Sequence, residues 1–157
     1  DDSMPLMLGD SLPSLTVKAT SGRTIDLPSL IGENIVIYFY PKDATPGCTT
    51  EAQDFRDLMP EFEQLNCKIL GVSRDTMNAH EKFKANECLP FELISDVDEH
   101  LCQAFDVIKM KNMYGKNVMG IERSTFLFNA QGHLQQEWRK VNAQGHAAIV
   151  LAALKQL

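Results

Sequence analysis

The sequence predicts an α/β protein with a mixed central sheet flanked by helices and an N-terminal β-hairpin. Three observations carry this: extended and helical segments alternate along the 157 residues; one extended segment is a continuous β-branched and aromatic run; and the last two strands read as a hairpin. Leu15 to Lys18 and Arg23 to Ile25 flank Ala19-Thr20-Ser21-Gly22, two short extended pieces about a turn. Asn34 to Tyr40 is the uninterrupted run, ending at Pro41, the pattern of a central strand buried on both faces.

The loop Pro41-Lys42-Asp43-Ala44-Thr45-Pro46-Gly47 leads into a segment from Cys48 to Leu65 with apolar residues at Ala52, Phe55, Leu58, Met59 and Phe62. Their spacing of three and four is helical, and Pro60 predicts a kink or a break near Met59. Cys67 to Ser73 reads as a second strand, and Thr76 to Glu87 as a helix that Thr76 caps. Phe91 to Ile94 is a short third strand. Asp96 to Phe105 is a helix entered through Asp96 or Asp98, and Lys109 to Gly120 is expected as a polar loop without a clear period. Ser124 to Phe128 and Leu134 to Trp138 bracket Asn129-Ala130-Gln131-Gly132-His133, a hairpin with Gly132 available for a positive φ. Gly145 to Leu157 closes the chain as a helix. No repeat or linker divides the chain, so 1–157 is expected to be one domain. Asp1-Asp2-Ser3 ahead of Met4 is tag-like, and residues 1–5 are expected to be disordered.

Composition excludes several function classes. A hydrophobic share of 44% with 23% charged residues is that of a soluble globular protein. The net charge of −6, with lysines and arginines scattered among acids, offers no footprint for nucleic acid or anionic lipid. The longest apolar stretch, Ile35 to Tyr40, is too short to span a bilayer, so no membrane partner and a cytoplasmic location are expected. The cysteines Cys48, Cys67, Cys88 and Cys102 form no CxxC or CxxH pair, which argues against structural zinc and for reduced thiols, one or two of them redox-active. His80, His100, His133 and His146 share no ligand spacing and are expected to be solvated. No metal and no cofactor are expected.

Cys48 has the position of a nucleophile. It follows a Pro-Gly turn at the first turn of a long helix, just past the carboxyl end of a buried strand, where open α/β sheets place their sites. Helix N-terminal amides offer unpaired donors and positive potential, which favour a thiolate. Thr45, three residues earlier, could bring its hydroxyl to the sulfur and to an oxygen bound beside it, and Pro41 would shield the sulfur from water. Cys67 and Cys102 read as core residues.

Pro41-Lys42-Asp43-Ala44-Thr45-Pro46-Gly47-Cys48, followed by Thr49-Thr50-Glu51, resembles the PxxxTxxC signature of the peroxiredoxins, in the subgroup called peroxiredoxin Q or bacterioferritin comigratory protein. The resemblance extends through Gly71-Val72-Ser73-Arg74-Asp75, Leu93-Ile94-Ser95-Asp96 and Arg123-Ser124-Thr125-Phe126-Leu127. It implies a thioredoxin-like fold and peroxide reduction at Cys48 through a sulfenic acid. It also implies that Thr45 holds the peroxide and that Arg123 stabilises the thiolate and polarises the O–O bond. Glu51 supports the first helical turn, through the helix dipole or an arginine contact. The subgroup implies a monomer. One subtype carries its resolving cysteine where Gln53 stands here; a second carries it where Lys84 stands. The nearest thiol is Cys88, a helical turn further, which could resolve if that helix end unwinds; otherwise the protein is a one-cysteine enzyme. The reductant is thioredoxin, or glutathione with glutaredoxin. A thiol–disulfide exchange protein, which would want a cysteine at the position of Thr45, and a non-catalytic thioredoxin-fold module are the competing readings.

Overall fold

The computed structural model describes residues 5–157. The expected disordered lead thus lies, Pro5 apart, outside the described residues. The strands are β1 (Thr16–Ala19), β2 (Arg23–Asp26), β3 (Asn34–Phe39), β4 (Cys67–Ser73), β5 (Glu92–Ser95), β6 (Ile108–Met113), β7 (Lys116–Ile121), β8 (Ser124–Phe128) and β9 (Leu134–Arg139). The helices are α1 (Pro46–Gln64), α2 (Met77–Glu87), α3 (His100–Ala104) and α4 (His146–Leu154). Seven strands form one sheet in the order β2-β1-β5-β4-β3-β8-β9. The three central strands β5, β4 and β3 are parallel, and antiparallel pairs flank them on both sides.

β3 earns its central place by being buried on both faces from Ile35 to Phe39. Ile35, Ile37 and Phe39 point into a core shared with Leu101, Cys102 and Phe105 of the α3 region, whereas Val36 and Tyr38 point into a core with Phe55 and Phe62 of α1 and Val150 and Leu151 of α4. A period of two along one strand thus feeds two layers of packing. Where β4 runs beside β3, Tyr38 lies opposite Gly71. A Cβ at Gly71 would come within 2.8 Å of Leu93 Cδ2 and 3.1 Å of the Tyr38 hydroxyl oxygen, so only glycine leaves room for that ring.

Cap chemistry follows the sequence. Thr76 Oγ1 accepts the Ala79 amide at 3.3 Å, capping α2 as expected. Asp96 accepts the amides of Leu101 and Cys102 at 3.1 and 2.7 Å, tying down the start of α3 from outside the helix. The β8–β9 hairpin forms, with Gly132 at φ 81°.

The structure departs from expectation in three places. α1 has no break at Pro60: it continues to Gln64. Pro60 is exposed, its ring lies on the solvent side, and the buried Phe55, Met59 and Phe62 hold the two halves in one helix. The stretch expected as a polar loop is a two-stranded ribbon, β6 paired antiparallel with β7 around Tyr114-Gly115 at φ 54° and 80°, the mirror-image turn that suits a hairpin. Its residues are mostly exposed, so no buried face imposes a period on the sequence.

The third departure concerns the histidines. His100 and His133 are exposed, but His80 and His146 are buried. His146 begins α4, bonds Thr125 Oγ1 through Nε2 at 2.8 Å and packs edge-on to Trp138 at 5.7 Å. Burial, with a smaller push from Arg123, lowers its pKa from 6.5 to about 4. The unfolded chain takes up this proton below pH 6.5 while the folded chain refuses it until about pH 4, so stability is lost as pH falls through that window. The loss amounts to roughly 3 kcal/mol. Replacing His146 with Gln should flatten this part of the acid limb, and urea midpoints measured between pH 7 and 4 for the two proteins check it; parallel curves refute the assignment.

Candidate active site

β3 delivers the chain at the carboxyl edge of the parallel strands, and α1 starts within a few residues. Pro46 occupies the first helical turn, where its missing N–H and fixed φ cost nothing. The Thr45 carbonyl accepts the Thr49 amide at 2.9 Å, closing that turn. Cys48 is therefore set among the unpaired amides of a 19-residue helix, with 2% of its surface exposed.

Arg123 reaches it by strand register. β8 pairs antiparallel with β3, Ser124 opposite Phe39, so the residue just before β8 lies beside the point where β3 releases the loop. Glu51, three residues after Cys48, shares its helix face. The guanidinium spans both: Nη1 donates to Glu51 Oε1 at 2.7 Å and Nη2 to Cys48 Sγ at 3.5 Å. The fork geometry of arginine suits this double engagement. A Cβ on Gly47 would come within 3.2 Å of Nη2, so any larger residue before the cysteine would make the guanidinium give way by a few tenths of an ångström.

Glu51 is fully buried, and its second carboxylate oxygen has no hydrogen-bond partner among the described residues. Burial pushes its pKa up to about 7 against the pull of Arg123. Burial lowers the Arg123 pKa, but Glu51 and Cys48 together outweigh it and raise the value above the ordinary one. Of the two supports expected for Glu51, the arginine contact is present.

Thr45 is half-buried, and its hydroxyl donates to the Lys42 carbonyl at 2.7 Å; among the described residues it makes no hydrogen bond to Cys48. With its proton so committed, the oxygen keeps its lone pairs for a donor. Pro41 is half-buried at the head of the loop. Beside Arg123 a pocket of about 270 Å³ is lined by Met110, Lys111, Glu122, Lys140 and Val141. Burial and the nearby guanidinium lower the Lys111 pKa.

The other cysteines divide as expected. Cys67 and Cys102 are buried, and burial pushes their thiols up, Cys67 to about 12 and Cys102 well above the ordinary value. Cys88 is exposed and is not inside α2: it is the residue that ends the helix, with φ 54°. The preceding Glu87 is held to α1 by Gln53 Nε2 on its carboxylate and Arg56 Nη1 on its carbonyl, both at 2.8 Å.

One polar cluster was not anticipated. Asp43, Asp75 and His80 bring one ligand-type atom each within 4.8 Å of one another. Hydrogen bonds inside the protein already engage these atoms: His80 Nδ1 to Asp43 Oδ2 at 2.6 Å, and the Asp43 amide to Asp75 Oδ2 at 2.9 Å. His80 stands three residues before Phe83 on α2, and both are buried.

The AhpC/TSA family model matches residues 8–137. The chain is 57% identical over 141 residues to the peroxiredoxin Bcp of Xanthomonas campestris, covering 90% of this chain and 88% of that protein. It is 49% identical to the Bacillus subtilis peroxiredoxin Bcp, covering 98% of each. Among solved structures it matches Xanthomonas campestris peroxiredoxin Q at a TM-score of 0.88 and 54% identity, over 96% of both chains. A second structure of the Xanthomonas protein, solved to address its alkyl peroxide reduction, matches at a TM-score of 0.88 and 53% identity. The fold is thus thioredoxin-like, and the chain belongs to the AhpC/TSA family, within its peroxiredoxin Q and Bcp group of thiol-dependent peroxidases.

Proposed function

We propose that Cys48 is the peroxidatic thiolate and that Arg123, Thr45 and Pro41 form its site, with Glu51 holding Arg123 in place. The observation that carries this is the 3.5 Å contact of Arg123 Nη2 with a sulfur that is almost dry at a helix N-terminus. Sulfur attacks one peroxide oxygen, an S–O bond forms, the O–O bond breaks, and the departing alkoxide or hydroxide takes a proton. Negative charge moves from sulfur to the leaving oxygen, so a guanidinium beside both positions stabilises the transition state more than the ground state. Thr45, donating to Lys42, accepts the hydrogen of the bound hydroperoxide and so orients it. The alkyl peroxide reduction activity of the Xanthomonas campestris relative and the Met110 and Val141 surfaces beside Arg123 support alkyl hydroperoxides as substrates alongside hydrogen peroxide.

Cys88 is the resolving thiol in this reading. It is the exposed cysteine of the four, it lies at a helix end, and it neighbours α1 through Glu87. Its thiol attacks the sulfenic sulfur, the S–S bond forms and water leaves. An external dithiol of the thioredoxin kind then reduces the disulfide.

Peroxide consumption with dithiothreitol as reductant tests the site. Cys48→Ser should abolish turnover, and undiminished turnover would overturn the reading. Arg123→Met should lower the second-order rate with peroxide by about 10²–10³, the cost of one oxyanion donor. Gly47→Ala, which shifts the guanidinium by a few tenths of an ångström without removing it, should cost on the order of tenfold at the same step. A rate equal to wild type would show that Arg123 does not act from the observed position.

A further inference from the structure

His80 is wholly buried and engaged at both ring nitrogens. Nδ1 lies 2.6 Å from Asp43 Oδ2, and Nε2 lies 2.9 Å from the carbonyl oxygen of Ile94. Both partners accept, so the Asp43–His80 pair must hold two protons, one on each line. The Tyr40 hydroxyl donates to Asp43 Oδ1 at 2.6 Å, so both oxygens of the Asp43 carboxyl are engaged inside the protein. Asp75 stands behind, accepting the Asp43 amide and the Ser73 hydroxyl, and Ser73 Oγ is 3.5 Å from His80 Nε2. Among the described residues, the groups facing His80 are thus two acids and two hydroxyls, with no competing cation.

This pair joins the two segments that must part. Asp43 belongs to the loop that carries Thr45 and leads into Cys48; His80 belongs to α2, which ends at Cys88. Among the described residues it is the one side-chain hydrogen bond between that loop and α2. Arg56, which holds the Glu87 carbonyl, lies eight residues beyond Cys48 on α1, about 12 Å along the axis at 1.5 Å per residue. A disulfide needs its Cα atoms within about 7 Å. The loop and the end of α2 must therefore come free before the two sulfurs meet. The Gln53 and Arg56 contacts to Glu87 are partly wet and exchange readily with water, whereas the Asp43–His80 hydrogen bond is buried and 2.6 Å long, and breaking it strands two buried polar groups, which is the costlier step.

We propose that the Asp43–His80 pair is a latch, and that His80 is a positioning residue that sets how the Cys48 sulfenic acid divides between disulfide formation and over-oxidation. This rests on the reading of Cys88 as the resolving thiol. In one branch the Cys88 thiol displaces water from the sulfenic sulfur; in the other a second hydroperoxide oxidises the sulfenic acid to sulfinic acid and leaves as alcohol or water. A closed latch delays the first branch and leaves the second untouched.

Three readouts on the full chain test it: the rate of peroxide attack from Trp138 fluorescence, the rate of Cys48–Cys88 disulfide formation by quenched mass spectrometry, and the sulfinic fraction per turnover. His80→Leu should speed disulfide formation about tenfold, as expected for loss of one buried hydrogen bond, and lower the sulfinic fraction in proportion. Peroxide attack should stay within about threefold. His80→Asn, which keeps an N–H within reach of Asp43, should fall between, and remains informative if the leucine variant does not fold. Attack and disulfide formation falling together would mark a merely structural residue and overturn the latch, as would an unchanged division between the branches. A wild-type protein that forms no Cys48–Cys88 disulfide would overturn the resolving role of Cys88 and the latch with it; a disulfide that forms at a rate indifferent to His80 would overturn the latch alone.

Discussion

The site depends on one guanidinium shared between a carboxylate and a sulfur. Arg123 is drawn to Glu51 at 2.7 Å and carried to Cys48 at 3.5 Å by the same planar fork. Neither contact is local. The distance from residue 48 to 123 is closed by the pairing of β8 with β3, and the thiol and the carboxyl both meet the arginine because three residues on a helix make less than one turn. A one-residue slip of β8 would turn Arg123 to the other face of the sheet, so strand register is part of the chemistry.

Register alone does not fix the helix that carries the sulfur. Tyr38 does much of that: its ring stacks on Phe55 of α1 with centroids 4.6 Å apart, and on Tyr40 at 5.5 Å. Gly71 on the neighbouring strand makes the space. The sheet face beneath α1 is thus an aromatic platform set by β3, and the helix start that faces the active-site loop inherits its position from that platform. Aromatic stacking of this kind adds about 0.5–1.5 kcal/mol per pair beyond burial.

Much of this could be read from residues alone where the signal is local. The β3 run, the cap at Thr76, the hairpin around Gly132 and the placing of Cys48 after Pro46-Gly47 all rest on short-range chemistry, and the structure has each of them. Arg123 was legible only by resemblance, since nothing in its neighbours tells that a sheet pairing 75 residues away supplies its partner. The β6–β7 ribbon escaped because exposed strands need not alternate, and Pro60 misled because tertiary packing outweighs one lost hydrogen bond. His80 and His146 escaped because a buried polar residue is identified by its partners, and Asp43, Ile94 and Thr125 are all distant in sequence.

The two polar assemblies around Cys48 answer to different signals. In the proposed mechanism the hold of Arg123 on the sulfur, a contact of 3.5 Å, depends on negative charge there. Oxidation to a neutral sulfenic acid removes that charge and weakens the contact of the sulfur with the guanidinium, which keeps its bond to Glu51. The bonds of Asp43 to Tyr40 and His80 involve no atom that the reaction changes. After the chemistry, therefore, the fastening at the sulfur has weakened and the one beneath the loop has not. A protein built this way keeps a dry, closed site for attack and makes the buried Asp43–His80 pair, beside the wetter Gln53 and Arg56 contacts to Glu87, the costliest restraint left on opening, so that in the proposed latch the partition of the oxidised cysteine belongs to a residue that never touches the peroxide.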